Sequence, residues 1–336
     1  MRAIFGEGKL LPEPITPGLT IPAGSIVRDR LLGHTDRVSV DSTEAQANQD
    51  SYLPSISADG RYVAFESHAT NLAPGDTNGR YDVFVRDRQL GTTERVSIGS
   101  AGEQGNSDSV NASISADGRY VAFMSESSNL VAADTNGSWD VFVRDLQLGV
   151  IERVSLDSND VQGDGNSGTS TVSISSDGRF VTFESDATNL VPGDTNGTRD
   201  IFIRDRQLGT TERVSVDSAG AQGNNTSSYS GWLSISADAR YVAFESSIAT
   251  NLIPQDTNVA PAVFVRDRLG NPNFISLCDP GASGVISCRA RIRPAEAVAV
   301  ATTRQAPAVR LSPPRGERIY RPTASSSRRA GRSRTR

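Results

Sequence analysis

Aromatic side chains are scarce in this chain, 6% of 336 residues, and cysteine, histidine and tryptophan each occur only twice. The two histidines, His34 and His68, lie at unrelated places in the pattern described below, and no G-x-S-x-G elbow occurs. A Ser-His-Asp hydrolase set is therefore not expected. Cys278 and Cys288 flank a Pro-Gly turn with no histidine nearby, so they cannot close a zinc site. They leave two readings, a local disulfide or two free thiols. No stretch approaches the roughly 18 consecutive apolar residues of a membrane span. The N-terminal 24 residues lack an apolar run followed by a small-residue cleavage site, so no signal peptide is expected. Between 25 and 277, helical periodicity never persists beyond about two turns.

Aspartate is missing from one end. From Arg289 onward the chain has 13 arginines, two glutamates and no aspartate, which leaves 21 basic and 37 acidic side chains before it. The acidic body disfavours nucleic acid and favours cations, whereas the tail does the reverse. Residues 1–24 read as a poorly ordered, proline-rich lead-in. Residues 278–336 read as a cysteine-containing turn and a largely disordered arginine-rich tail, with Ala295–Thr302 as a possible extra strand.

What the chain has in abundance is repetition. The stretch Ser55–Ser97, SISADGRYVAFESHATNLAPGDTNGRYDVFVRDRQLGTTERVS, restarts at Ser113, Ser173 and Ser234, in steps of 58, 60 and 61 residues. Repetition at such a period marks a tandem array of one supersecondary unit. Each unit reads as four short strands: SIS, RYVAFES, DVFVRD and TTERVSV. The first two are joined by a tight Asp-Gly turn (Asp59/Gly60 and its copies), the last two by a Gln-Leu-Gly turn at Gly91, Gly149 and Gly209. Val83, Phe84 and Val85 are consecutive apolar residues, as in a strand covered on both faces. Ser25–Val40 matches the second half of a unit. The array therefore predicts a half-unit at 25–40 and full units at 55–98, 113–156, 173–216 and 234–277. The two long connections, HATNLAPGDTNGRY within a unit and GSAGEQGNSDSVNA between units, must emerge at the same end of an up-and-down sheet. That elaborate rim is the candidate binding face.

The pattern SxDGR-x-[VA]-x-F-x-S followed by G-x-x-D-V-F-V-R-D resembles the WD40-like (PD40) repeat of TolB-like β-propellers over residues 25–277. The resemblance implies an all-β fold, a propeller of four-stranded antiparallel blades, with a closed ring and an incompletely closed one both open. It also implies a periplasmic, cell-surface or secreted setting and a habit of binding other molecules, but no reaction.

The sharpest candidate site is Asp-Thr-Asn-Gly-x-x-Asp, which places Asp76/Asn78/Asp82, Asp134/Asn136/Asp140 and Asp194/Asn196/Asp200 on the elaborate rim. Calcium takes six to eight oxygens, and acidic loops with a permissive glycine can supply them. The competing reading is a plain turn capped by Asp and Asn with Gly left-handed. In the fourth unit Ala262 has replaced the last aspartate. The Arg-Asp pairs (Arg28/Asp29, Arg86/Asp87, Arg144/Asp145, Arg204/Asp205 and Arg266/Asp267) read either as an anion-binding ring of arginines or, in preference, as a ladder of Arg–carboxylate bridges, with Glu66, Glu94 and their counterparts as candidate partners. Trp139 and Trp232 break the repeat, as edge packing or as a sugar or peptide platform. Three functions remain open. The first is a non-enzymatic module presenting its long loops to a protein or glycan. The others are a carbohydrate-active hydrolase or lyase, and a purely structural calcium-binding repeat.

Overall fold

The computed structural model describes residues 24–31, 33–227, 232–247, 249–254, 256–257 and 260–270. The lead-in, both cysteines, the fourth strand expected near 274–277 and the arginine-rich tail lie outside the described residues. Within them the chain is all β, in five antiparallel sheets that follow chain order. The half-unit forms a two-stranded sheet, β1 (Ile26–Arg28) and β2 (Thr35–Arg37). Three four-stranded sheets follow. They are β3–β6 (Ser51–Ile56, Tyr62–Ser67, Asp82–Asp87, Thr92–Arg95), β7–β10 (Ser109–Ile114, Tyr120–Ser125, Asp140–Asp145, Val150–Arg153) and β11–β14 (Ser167–Ile174, Phe180–Ser185, Asp200–Asp205, Thr210–Arg213). The fifth has three strands among the described residues, β15 (Leu233–Ile235), β16 (Tyr241–Ser246) and β17 (Ala262–Asp267).

The turns behave as their residues dictate. Gly60, Gly118 and Gly178 hold φ of +73°, +74° and +72°. Asp59 accepts from Ser57 Oγ at 2.6 Å and from the Arg61 N–H at 3.0 Å, which closes the hairpin on itself. In the fourth unit Ala239 adopts the same left-handed conformation, φ +56°, without glycine's freedom. The first strand differs from expectation. It begins four residues before SIS, at Ser51 and Ser109, and carries a register shift between Tyr52 and Ser55 or Val110 and Ser113. Leu53 and Asn111 take positive φ at that bulge, 48° and 56°, and no periodic signal marks it.

Each sheet packs on the next. Ala64, Val83 and Val85 meet Ala112, Ile114, Val121 and Phe123 of the following sheet. Ala122, Met124, Val141 and Val143 meet Val172, Ile174, Val181 and Phe183. All six residues of β5, β9 and β13 are buried, which is why their three leading apolar residues after the first aspartate run without alternation. A cross-strand phenylalanine pair sits inside each full unit, Phe65 on Phe84 with ring centroids 6.0 Å apart and Phe123 on Phe142 at 5.9 Å. At the end of the row the cover stops. Val263 on β17 is 71% exposed, where its counterpart Val83 is 0%. The sheets do not close into a ring among the described residues.

Candidate functional site: the paired-loop rim

In the first three full units the two long segments do share one end, and they are stitched together there. Gln104, in the loop after β6, is held opposite Ile98 by an isolated bridge. Its amide nitrogen donates to Asp76 Oδ1 and to Asp82 Oδ2, both at 3.0 Å. The Gln104 side-chain oxygen accepts from the Thr77 N–H at 3.2 Å. Asn78 Nδ2 donates to Gly105 O at 2.9 Å, and Asn78 Oδ1 accepts from the Arg80 N–H at 2.9 Å. Asn136 repeats this with Gly163 O and the Ser138 N–H, both at 2.9 Å. Asn196 repeats it with Gly223 O at 2.8 Å and the Thr198 N–H at 2.9 Å. Asp108 accepts from the Tyr81 N–H at 2.9 Å. Gln162 and Gln222 repeat the bridge to Asp134/Asp140 and Asp194/Asp200 at 2.8 to 3.1 Å. Gly79, Gly137 and Gly197 supply the left-handed step.

A cation already faces these carboxylates. Arg95, on β6, places Nη2 3.3 Å from Asp76 Oδ2 and Nε 3.5 Å from Asp82 Oδ2. Its side chain is 6% exposed, against 2% and 0% for the two aspartates. Arg153 does the same for Asp134 and Asp140 at 3.2 and 3.4 Å, and Arg213 for Asp194 and Asp200 at 3.1 and 3.2 Å. Each guanidinium also lies about 6 Å from the centre of a buried phenylalanine ring, Phe84, Phe142 or Phe202. The second aspartate accepts a short bond from a serine hydroxyl: Ser97 at 2.5 Å, Ser155 at 2.6 Å and Ser215 at 2.6 Å. Burial pushes the carboxyls of Asp82, Asp140 and Asp200 up from their ordinary value, and the serine bond, the arginine and the glutamine amide offset part of that rise.

The nine residues singled out from the sequence therefore meet three to a unit, Asp76/Asn78/Asp82, Asp134/Asn136/Asp140 and Asp194/Asn196/Asp200, but around a guanidinium and an amide. As arranged, the set offers calcium few free oxygens, which weighs toward the turn reading. An ion needing six to eight oxygens finds two carboxylates per unit, both engaged. The asparagines do not make up the number. Asn78 and Asn136 turn Nδ2, not oxygen, toward the second aspartate. In the third unit Asn196 spends Nδ2 on Gly223 O and Oδ1 on the Thr198 N–H, the bonds of the turn cap in the competing reading. Among the described residues no group of three or more acidic, histidine or cysteine side chains gathers as metal ligands. In the fourth unit Ala262 aligns with Asp82 and Phe274 with Arg95, so the second aspartate and the arginine are lost together while Asp256 keeps the place of Asp76. The leading half-unit keeps Arg37 and Ser39 beside Gly24, which occupies the aspartate's place. Arginine, glutamine and serine were the residues the motif missed, although each recurs at a fixed distance from it in the three units that carry the full motif.

The Arg-Asp pairs also resolve differently from the expected ladder. Asp87 is gripped by Arg61 of the first turn, with Nη2 at 2.6 Å, and Asp145 and Asp205 by Arg119 and Arg179. Arg86 reaches back to Glu44 and to Asp41 O in the preceding inter-unit loop, and Arg204 to Asp160 and Asp157 O. Glu66 instead accepts from the Asn111 N–H at 2.7 Å. Trp139 packs half-buried against the core between two sheets, whereas Trp232 is 68% exposed.

Repeated four-stranded antiparallel sheets, stacked face to face in chain order, are the construction of a β-propeller. No protein-family model matches the chain, and no curated protein matches it. Among solved structures it is similar to TolB from Acinetobacter baumannii (18% identity, TM-score 0.41, 72% of this chain and 45% of that one). It is also similar to an oligogalacturonate lyase in complex with manganese (13%, 0.42, 72% and 53%) and to the β-propeller domain of the Trilobed protease from Pyrococcus furiosus (11%, 0.36, 64% and 54%). The chain spans about half the length of these structures. At such identities and TM-scores the likeness carries nothing about activity.

Proposed function

We propose that this chain is a non-enzymatic β-propeller binding module that presents its long-loop rim to a protein or glycan partner at the cell envelope or outside the cell. The observation that supports it is the stiffness of that rim. The same side-chain bonds tie the two loops in three successive units, so exposed Thr77, Thr135 and Thr195 sit on ordered backbone. Rigid display spares a partner much of the ordering cost of binding. Trp232, exposed at the start of β15, adds an aromatic face suited to a sugar ring or a peptide. The buried carboxylates of the rim are committed to arginine, glutamine and serine of their own unit, which favours binding over acid-base catalysis on carbohydrate.

The test is saturable binding of the full chain on a glycan array and to purified envelope proteins, with Trp232→Ala beside Leu208→Ala, an exposed control on the opposite rim. Weakening by about tenfold or more at Trp232→Ala alone is the expected result. Equal binding by both variants, or no saturable binding to any probe, overturns the proposal.

A further inference from the structure

The turn between the third and fourth strands opens with Arg88, Leu146, Arg206 and Arg268 in successive units. Arg206 shows what the arginine does. Its guanidinium lies 4.5 Å from the centre of the Tyr120 ring in the preceding sheet. Its Nε donates to Glu152, on the last strand of that sheet, at 2.6 Å, and its Nη1 donates to Gly178 O. Arg268 repeats the set with Phe180 at 4.8 Å, Glu212 at 3.3 Å and Ala239 O at 2.9 Å. Arg88 pairs with Asp36 of the half-unit and donates to Gly60 O.

One interface lacks this clamp. Between the sheets β3–β6 and β7–β10, Leu146 stands at the arginine's position and offers no donor. The acceptors remain: the ring of Tyr62, the carboxylate of Glu94 and the carbonyl of Gly118. Among the described residues Glu94 makes no hydrogen bond or ion pair, and Tyr62 carries a guanidinium only from its own neighbour Arg61, at 4.7 Å. A cleft of about 480 Å³ opens here, with Tyr62, Glu94, Gly118 and Leu146 in its wall.

We propose that this cleft on the short-turn rim binds an arginine side chain presented by a partner protein, restoring the contact set that the chain supplies for itself at the next two interfaces. The site is independent of the long-loop binding face. A planar guanidinium satisfies stacking on Tyr62, pairing with Glu94 and donation to Gly118 O together, and an ammonium cannot. Anionic partners are disfavoured by the carboxylate of Glu94, which acts on Arg144 through charge but makes no hydrogen bond to it.

The experiment is saturation-transfer NMR on the full chain with the peptide acetyl-Gly-Arg-Gly-amide and its lysine and citrulline counterparts. The arginine peptide binds, and the other two bind about tenfold more weakly or worse. Leu146→Arg fills the cleft, abolishes peptide binding and raises the melting temperature. Glu94→Gln, at an exposed position that leaves the core untouched, weakens binding while the fold stays intact. Failure of the arginine peptide to bind, equal binding of the lysine peptide, or undiminished binding by Leu146→Arg overturns the proposal. Sedimentation of the same samples covers the remaining occupant: self-association of the wild type that Leu146→Arg abolishes would make it a second copy, and the assignment to a partner would fall.

Discussion

The two rims of each sheet use the same pair of residues, arginine and aspartate, under opposite conditions. On the short-turn rim Arg61 meets Asp87 through hydrogen bonds of 2.6 to 3.0 Å, with the arginine 32% exposed. The Arg61 bonds hold the Asp87 carboxyl below its ordinary value despite partial burial. At Asp145 and Asp205 burial pulls upward most strongly, and the arginine bond together with two backbone N–H groups, of Leu148 and Gln147 or of Leu208 and Gln207, outweighs it. On the long-loop rim Arg95 stands at 3.3 and 3.5 Å from two carboxylates that water does not reach, and burial wins at Asp82. Solvent access sets the sign, not the identity of the pair.

The largest expected effect is at the buried rim. Arg153→Ala leaves Asp134 and Asp140 unpaired and should cost about 3–5 kcal/mol in chemical unfolding. Asp140→Ala with Arg153→Phe copies the fourth unit and should cost less than the single change. A double variant as damaged as the single one would mean that the pair is not the unit of stability. Arg119→Ala, at the exposed partner on the other rim, should lower the melting temperature less than Arg153→Ala does.

Next in size is the Asp-Gly turn. A Cβ on Gly118 would lie 2.1 Å from Tyr62 Cδ2, and its φ is +74°. Gly118→Ala should cost about 2–4 kcal/mol from overpacking and left-handed strain together. The reverse change relieves strain where alanine already occupies that conformation: Ala239→Gly on the short-turn rim and Ala133→Gly on the long-loop rim should each gain about 1 kcal/mol. No gain at either would show that backbone strain there is absorbed elsewhere.

The pH response should divide along the same line. Asp87, Asp145 and Asp205 have lowered carboxyl values, so their stabilisation is present above the unfolded value near 3.9 and is lost as pH falls through the folded one. Asp82, Asp140 and Asp200 have raised values, so their contribution is present below the unfolded value and is lost as pH rises through the folded one. Comparing unfolding free energies of Asp205→Asn and Asp200→Asn from pH 3 to 6 should therefore give slope changes of opposite sign; slopes of one sign would erase the distinction between the rims. The smallest effect concerns calcium. With guanidinium and amide donors in place, the melting midpoint should be the same in millimolar calcium and in chelator, and a clear rise with calcium would mean that the ion displaces Arg95 and its copies.

Much of the molecule was legible from periodicity. The second, third and fourth strands lie where RYVAFES, DVFVRD and TTER stand, and the turn glycines take positive φ where Asp-Gly and Leu-Gly required it. The shared end of the long loops followed from up-and-down order alone. The early start of the first strand was not legible, because its bulge interrupts alternation at Leu53 and Asn111. Nor were the partners of the aspartates and asparagines. Arg95 and Gln104 lie 19 and 28 residues beyond Asp76, and only the sheet brings them to it. Asn196 likewise meets Gly223, 27 residues on, because two loops of one unit close over the same end.

The sequence alone determined the repeat, the order of its strands and which loops share an end, because each depends on local propensity and on counting along the chain. Tertiary structure decided which charges meet, which are dry and which interface lacks its arginine. Those outcomes depend on how sheets stack and exclude water, and a one-dimensional pattern carries no record of that.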